Sequence, residues 1–450
     1  MRVDIPDEYF EVFNFFNERT NGGRVAVLPS HNFWGWQFHN WGYRGSGFYW
    51  YGIKNPILDR AFDVWSKDNE NFYEELNYAL NSDDKEILKY VFDKYQVSYI
   101  LYDKNLFVPE SIVNVNLSSF NKIAEFGKIE IYETGYFGDY VTTPKYEYSN
   151  SILKVYEKVD GKFLANPVIV ENFGEDQGYK EIRNCDLFEK GNVKRERRSD
   201  GNLYQAYNGG VACDYFYYSQ VDNSKPFIIR IRGENLSGRG LKIYLYNVKA
   251  QKNVLEELLP EGKFDEYFFV NPIFMTVDYG PLFDLGYTLS VETRSFGKVE
   301  SINLITDIEI YQSQGDTLRY QNLKLRGVTL QSDDLEILDV KKYGTWGYKI
   351  ETRGDGILQL NQAFGEGWVS YPKLQHIKIN GWANGWIISQ SQLNQSKSIE
   401  VGDRFQTDFK PISTIYYIVY WPQGLQWVGF LVSFLTVLIL IVKSNKLRVL

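Results

Sequence analysis

Residues 227–246 read FIIRIRGENLSGRGLKIYLY. Phe227–Arg232 alternates apolar and basic side chains, and in Leu241–Tyr246 the residues Leu241, Ile243 and Leu245 share one face. A period of two is the pattern of a strand with one face on a core and the other in water. Between the two runs lies GENLSGRG, whose glycines, Asn235 and Ser237 mark a turn. The same alternation returns in YTLSVETR (Tyr287–Arg294) and DIEIY (Asp307–Tyr311). Residues 145–315 are therefore predicted to be a β-sandwich of jelly-roll type.

The pattern changes on the N-terminal side. Within residues 1–144, RVAVL (Arg24–Leu28) reads as a short buried strand stopped by Pro29. Phe72, Leu76 and Leu80 in one run, and Ile87, Leu88, Val91 and Phe92 in the next, keep helical spacing. VSYILY (Val97–Tyr102) and KIEIY (Lys128–Tyr132) are strands again. Tyr9, Val12, Phe13 and Phe16 form one face of an N-terminal helix that Pro6 can open. Strand, helices, strand predicts a small α/β layer carrying an aromatic loop. No glycine-rich phosphate loop follows either early strand, which argues against a nucleotide site.

On the C-terminal side, residues 316–420 are predicted as a second, membrane-proximal β domain. Asn380-Gly381 and Asn384-Gly385 read as hairpin turns, and TIYYIVY (Thr414–Tyr420) as the last strand. After Trp421-Pro422 comes LQWVGFLVSFLTVLILIV (Leu425–Val442), nearly free of charge. At 1.5 Å per residue it spans about 27 Å, close to a bilayer's hydrocarbon thickness. Residues 421–443 are thus a predicted transmembrane helix and 444–450 a short tail. The class expected is α+β, predominantly β.

Lys443, Lys446 and Arg448 follow the span at once, and positive residues stay on the cytoplasmic side. The bulk of the chain is therefore expected outside the cytoplasm and the C-terminus inside, on the cytoplasmic membrane. Tyr416, Tyr417, Tyr420, Trp421 and Trp427 crowd the front of the span, where amphipathic rings favour headgroups. The N-terminus has no apolar run of signal-peptide length. Two readings follow: a tail-anchored protein with a cytosolic body, or the C-terminal region of a multispanning protein. The second is preferred, because a translocated body needs an upstream span. Partners are then the bilayer and upstream membrane helices of the same or an adjacent protein.

A net charge of −8 argues against nucleic acid as a partner. The run Lys194, Arg195, Arg197, Arg198, broken by Glu196, reads as a solvated loop. Three histidines, two cysteines and no CxxC or HExxH motif give no basis for a metal, and no cofactor is expected. Outside the cytoplasm Cys185 and Cys213 can form a disulfide. Aromatic residues make up 17% of the chain, with 35 tyrosines. Such rings fill β cores and also stack on sugars.

The densest aromatic segment is HNFWGWQFHNWGYRGSGFYWY (His31–Tyr51), at the C-terminal end of a predicted strand where α/β sites tend to lie. Trp34, Trp36, His39, Trp41, Tyr43 and Trp50 offer a stacking surface for a glycan or a lipid headgroup, with Arg44 able to grip a phosphate; packing on the rest of the protein or on upstream membrane helices is the preferred explanation. A second cluster holds Trp368, Trp382 and Trp386 among tight turns near the membrane, for headgroup contact or for packing. In the central sandwich, Tyr215, Phe216, Tyr217, Tyr218, Tyr267 and Phe268 are candidates for a glycan-binding face. Asp59 and Asp63, spaced i,i+4, could act as an acid and base pair, but capping and pairing to Arg60 or Lys67 explain them more simply. No catalytic constellation is visible.

GEGWVSYPKL, NGWANGW and YIVYWPQGLQWVGFLVSFLTVLILIV resemble the C-terminal end of bacterial multispanning proteins of the YfhO-like and GT-C-type glycosyltransferase group. The strand RVAVLP, the Trp/Tyr-rich loop and VSYILYD also look similar to a segment of those proteins. The resemblance touches both ends of the chain and only loosely the middle, whose sandwich is carbohydrate-binding-module-like. It implies lipid-linked sugar transfer on the outer face of the cytoplasmic membrane for cell-envelope glycans, with the catalytic acid in a loop between early membrane helices that this sequence lacks. The chain would be the extracytoplasmic accessory or acceptor-binding region of such a protein, with a glycan or lipid-linked sugar as partner. The alternative is a membrane-anchored, non-catalytic carbohydrate-binding or adhesion module.

Overall fold

In the computed structural model the described residues are 3–19, 23–29, 37–58, 67–81, 85–106, 117–136, 140–144, 146–147, 167–173, 192–223, 225–249, 252–270, 286–312, 328–329, 334–389 and 413–447. The chain is predominantly β, with several sheets, a few helices and one C-terminal apolar helix. It divides into two compact units, one of Met1–Phe137 with Ser151–Leu325 and one of Gly138–Asn150 with Arg326–Leu450.

The first unit begins with a five-stranded sheet in the order Ile57–Leu58, Arg24–Leu28, Val97–Asp103, Ile129–Glu133, Asn121–Phe126. The first three strands run parallel, and Ile129–Glu133 pairs antiparallel with the strand on either side of it. Arg24–Leu28 is buried along its whole length, as a continuous apolar run in a parallel sheet should be. The N-terminal helix, Asp7–Asn17, starts directly after Pro6 and buries Tyr9, Val12 and Phe16. These pack with Val25, Val27, Tyr99, Leu101, Ile129 and Ile131. Helix Lys85–Lys94 buries Ile87, Leu88, Val91 and Phe92 and packs on the strand Val97–Asp103 beside helix Lys67–Asn81.

The sandwich follows in the same unit. Its larger sheet has the order Asn192–Arg198, Gly201–Tyr207, Ser301–Gln312, Phe227–Ser237, Gly262–Val270, and Ile169–Asn172 also pairs with Ser301–Gln312. The facing sheet has the order Val211–Tyr218, Tyr287–Arg294, Lys242–Asn247, Lys252–Leu258. Every pairing is antiparallel. Ile229, Ile231, Ile243, Leu245, Leu289, Val291, Ile308 and Ile310 meet between the sheets, which is the alternation read from the sequence. The basic run corrects one expectation. Lys194–Arg198 is not a loop but an edge strand paired to Gly201–Tyr207. Its residues are mostly charged, so its apolar signal is too weak to reveal it, and charged edges resist unwanted pairing.

The second unit holds two four-stranded sheets, Glu336–Tyr343, Gly347–Arg353, Thr414–Tyr420, Trp368–Tyr371 and Gln375–Ile379, Ala383–Ile388, Gly356–Ala363, Val141–Thr142. Their core includes Tyr348, Ile350, Leu358, Leu360, Trp368, Trp386, Tyr416 and Ile418. Asn380 and Gly381 both take positive φ, 56° and 72°, so this dipeptide does form the predicted hairpin turn. Asn384-Gly385 does not. It lies inside the strand Ala383–Ile388, and Asn384 is fully buried. The Asn384 amide donates to the Gln362 and Ala363 carbonyls at 3.0 Å each, and its Oδ1 accepts from the Gly365 N–H at 3.1 Å. These contacts satisfy inside the core the polar group that would otherwise favour a turn.

His376 stacks between Phe364 (5.0 Å) and Trp386 (4.9 Å), with Nε2 3.1 Å from Asn384 Oδ1. Burial holds its pKa below the ordinary value, against smaller opposing effects of Asn384 and Glu366. An unfolded histidine titrates near pH 6.5, so as pH falls past about 6.5 the unfolded chain takes the proton first and the unit loses stability. His376→Phe keeps the stack and removes the titration. Its melting temperature relative to wild type should rise as pH is lowered from about 7.5 to about 5.5. Parallel melting curves for the two proteins across that window would contradict this.

The last strand leads into the helix Pro422–Leu447. Within it Pro422–Leu440 is long and apolar enough to cross a membrane, and its apolar residues from Leu425 on stand exposed.

Candidate functional site

Period two sends alternate residues of the sandwich's four-stranded sheet outward. From Val211–Tyr218 these include Tyr215 and Tyr217, while Ala212, Phe216 and Tyr218 turn to the core. From Lys242–Asn247 they are Lys242, Tyr244 and Tyr246, and from Tyr287–Arg294 they are Thr288, Ser290, Glu292 and Arg294. The register assembles these into rows. Tyr215 lies beside Ser290, then Tyr244, then Glu256; Tyr217 lies beside Thr288, then Tyr246, then Asn253. Strands sit about 4.8 Å apart, so the two tyrosines in each row are separated by about 10 Å with a hydroxyl residue between them.

The charges on this face are mutually satisfied. Lys242 Nζ is 2.5 Å from Glu256 Oε1 and 4.8 Å from the Tyr244 ring centroid. Arg294 Nε is 2.8 Å from Glu292 Oε1. Tyr215 is 36% and Tyr217 46% exposed. Burial, with Glu292 beside it, raises the Tyr215 pKa, so the phenol stays protonated and can donate a hydrogen bond. The result is a neutral platform of rings and hydroxyls on a rigid sheet. Apolar faces with a few polar groups beside them suit a neutral polyol ring, which offers C–H bonds on its face and hydroxyls at its edge.

The tyrosines proposed from sequence divide by strand phase. Tyr215 and Tyr217 lie on the platform, Phe216 and Tyr218 in the core, and Tyr267 and Phe268 on the other sheet. Tyr244 and Tyr246 were missed, although the sequence signal was present: they occupy the phase opposite Ile243 and Leu245.

The aromatic loop is placed differently. Trp34 and Trp36 lie outside the described residues, as do Asp59 and Asp63. His39, Trp41 and Tyr43 fold inward with Phe48, Tyr49 and Tyr9. Tyr9 Oη is 3.0 Å from His39 Nδ1, donates to Asp103 Oδ2 (2.8 Å) and accepts from Trp41 Nε1 (2.8 Å). Tyr49 Oη donates to the same Asp103 oxygen at 2.5 Å. Asp103 ends the strand Val97–Asp103, so this network occupies the C-terminal ends of the parallel strands. Arg44 is exposed, and Trp50 is 43% exposed. Trp368, Trp382 and Trp386 are buried within the second unit and have no open ring face there. Cys213 is disulfide-bonded; Cys185 lies outside the described residues.

No family model matches the sequence, and no curated protein matches it. Among solved structures, the chain is similar to an arabinofuranosyltransferase AftD from Mycobacteria at 8% identity and a TM-score of 0.41, covering 93% of this chain and 63% of that one. This chain thus spans less than two thirds of that protein's length. It is also similar to a carbohydrate binding module (CBM6cm-2) of lichenase 5A from Cellvibrio mixtus, described in complex with cellotriose, at 10% identity and a TM-score of 0.20, over 33% of this chain and 99% of that one.

Proposed function

We propose that this chain is a glycan-binding, extracytoplasmic region of a membrane glycosyltransferase-like protein, which presents an acceptor sugar in cell-envelope glycan assembly. The observation that carries the reading is the tyrosine platform on the sandwich's four-stranded sheet. Three further features support it. Pro422–Leu440 can span a bilayer, and Lys443 and Lys446 follow it on what the charge rule makes the cytoplasmic side. The disulfide at Cys213 fits an oxidising compartment. The motifs at both ends of the chain resemble the YfhO-like and GT-C-type group.

The platform would hold a neutral sugar between rows of rings. Tyr215, Tyr217, Tyr244 and Tyr246 would supply stacking surface, and Ser290 and Thr288 would supply hydroxyls between them. The full chain in nanodiscs, screened on a glycan array, should bind at least one class of neutral polysaccharide. Tyr215→Ala and Tyr244→Ala should each weaken that binding about tenfold or more, the effect of removing an aromatic anchor. The reading fails if no glycan binds, or if the double variant binds as wild type does while its melting temperature is unchanged.

A further inference from the structure

The membrane helix does not hang from a free linker. The Tyr420 N–H donates to the Trp346 carbonyl at 2.7 Å, and the Trp421 N–H to the Gly367 carbonyl at 3.0 Å. Trp368 packs on Tyr420 with centroids 5.3 Å apart. A Cβ on Gly367 would come within 2.5 Å of the Tyr420 ring and 3.0 Å of Pro422, so only glycine admits this approach. Two segments distant in sequence, the hairpin tip Tyr343–Gly347 and the turn Gly365–Trp368, therefore clamp the strand–helix junction.

The tip also reaches past that junction. The Trp346 ring meets the Trp427 ring edge-on at 4.8 Å, and Tyr343 stacks on Trp346 at 6.3 Å. Trp427 lies beyond Leu425, where the apolar run begins, and about 7 Å along the helix axis from Pro422. Any bilayer position that puts Leu425 at the edge of the hydrocarbon brings Trp346 into the headgroup layer. Tryptophan and tyrosine favour that layer, because each has an apolar body and a polar tip. Lys341 and Lys342 stand exposed at the base of the same tip, next to where lipid phosphates would lie.

We infer that the hairpin tip around Tyr343, Thr345 and Trp346 is a second membrane contact, a collar that seats the second unit on the phospholipid headgroups beside the helix. The unit then rides the bilayer in a fixed orientation rather than swinging on a stalk. This inference rests on the membrane-spanning reading of Pro422–Leu440.

The test is site-directed labelling of the full chain in phosphatidylcholine–phosphatidylglycerol vesicles. Spin labels go on Thr345→Cys, on Asp355→Cys at the opposite end of the strand Gly347–Arg353, and on Leu431→Cys within the span. Depth is read from relaxation by lipid-soluble oxygen against an aqueous nickel chelate. The Leu431 label should report hydrocarbon and the Asp355 label bulk water. The Thr345 label should report headgroup depth, with clear loss of nickel accessibility relative to Asp355. A Thr345 label as accessible as Asp355, with Leu431 in hydrocarbon, overturns the collar alone. A water-exposed Leu431 label overturns the spanning reading and the collar with it. Vesicles of phosphatidylcholine only separate the contributions: a seated tip without anionic lipid shows that the rings suffice, and one that lifts off overturns a ring-driven collar.

Discussion

Lys94→Met should destabilise the α/β layer by about 3–5 kcal/mol, the cost of breaking a buried ion pair by removing one member. Lys94 ends the helix Lys85–Lys94, and its Nζ sits 2.7 and 3.0 Å from the two oxygens of Glu75 on helix Lys67–Asn81. Both side chains are fully buried. Methionine matches the lysine stem, so the change removes the ammonium with little change in packed volume. The Glu75 carboxylate then loses the ammonium that both of its oxygens contact. Lys94→Met with Glu75→Leu should recover most of the loss, because well-packed apolar replacements of buried pairs are often neutral or better. Thermal unfolding of the full chain in detergent, run as a double-mutant cycle, measures the coupling. A single-variant cost below about 1 kcal/mol would mean that the two groups do not depend on each other.

This pair shows where sequence reading loses its hold. Ile87, Leu88, Val91 and Phe92 mark a buried helical face, and Lys94 falls in phase with Ile87 and Val91. A lysine in that phase reads as a helix end in water, and nothing local shows that Glu75 faces it across two helices. The central strands, the last strand, the apolar helix and the Asn380-Gly381 turn were legible because each is a local pattern: period two, hydropathy, or backbone chirality. The platform was half legible. Tyr215 and Tyr217 stood out, and the phase of Tyr244 and Tyr246 could be read opposite Ile243 and Leu245, but only register sets Tyr215 and Tyr244 on either side of Ser290. Trp346 carried no signal at all in sequence. Its role comes from a hairpin that returns to the helix, a long-range contact no local pattern encodes.

The second large effect is expected at Asp103, and it bears on what the aromatic loop is for. Asp103 is fully buried. Its Oδ2 accepts from Tyr9 Oη at 2.8 Å and Tyr49 Oη at 2.5 Å, and its Oδ1 accepts from the Asn105 N–H at 2.8 Å. Burial above all, and then the Asp103 charge, push the Tyr9 pKa above its ordinary range, so Tyr9 stays a donor to this carboxylate. Asp103→Ala takes their shared acceptor from three buried donors at about 1–3 kcal/mol each, for a total of about 3–5 kcal/mol after relaxation that includes a turn of the Tyr9 hydroxyl to His39 Nδ1. Asp103→Asn keeps an acceptor for the Asn105 N–H but turns an amide towards two phenols, one of which already accepts from Trp41. Its cost should fall between wild type and alanine. Melting temperature and amide exchange in Val97–Asp103 measure both variants. If the carboxylate were instead held there for catalysis or ligand binding, Asp103→Asn would raise stability, because functional sites carry strain that substitution relieves. Destabilisation in the order alanine, then asparagine, would mean that the C-terminal ends of these parallel strands are closed by a structural network, leaving binding to the tyrosine platform.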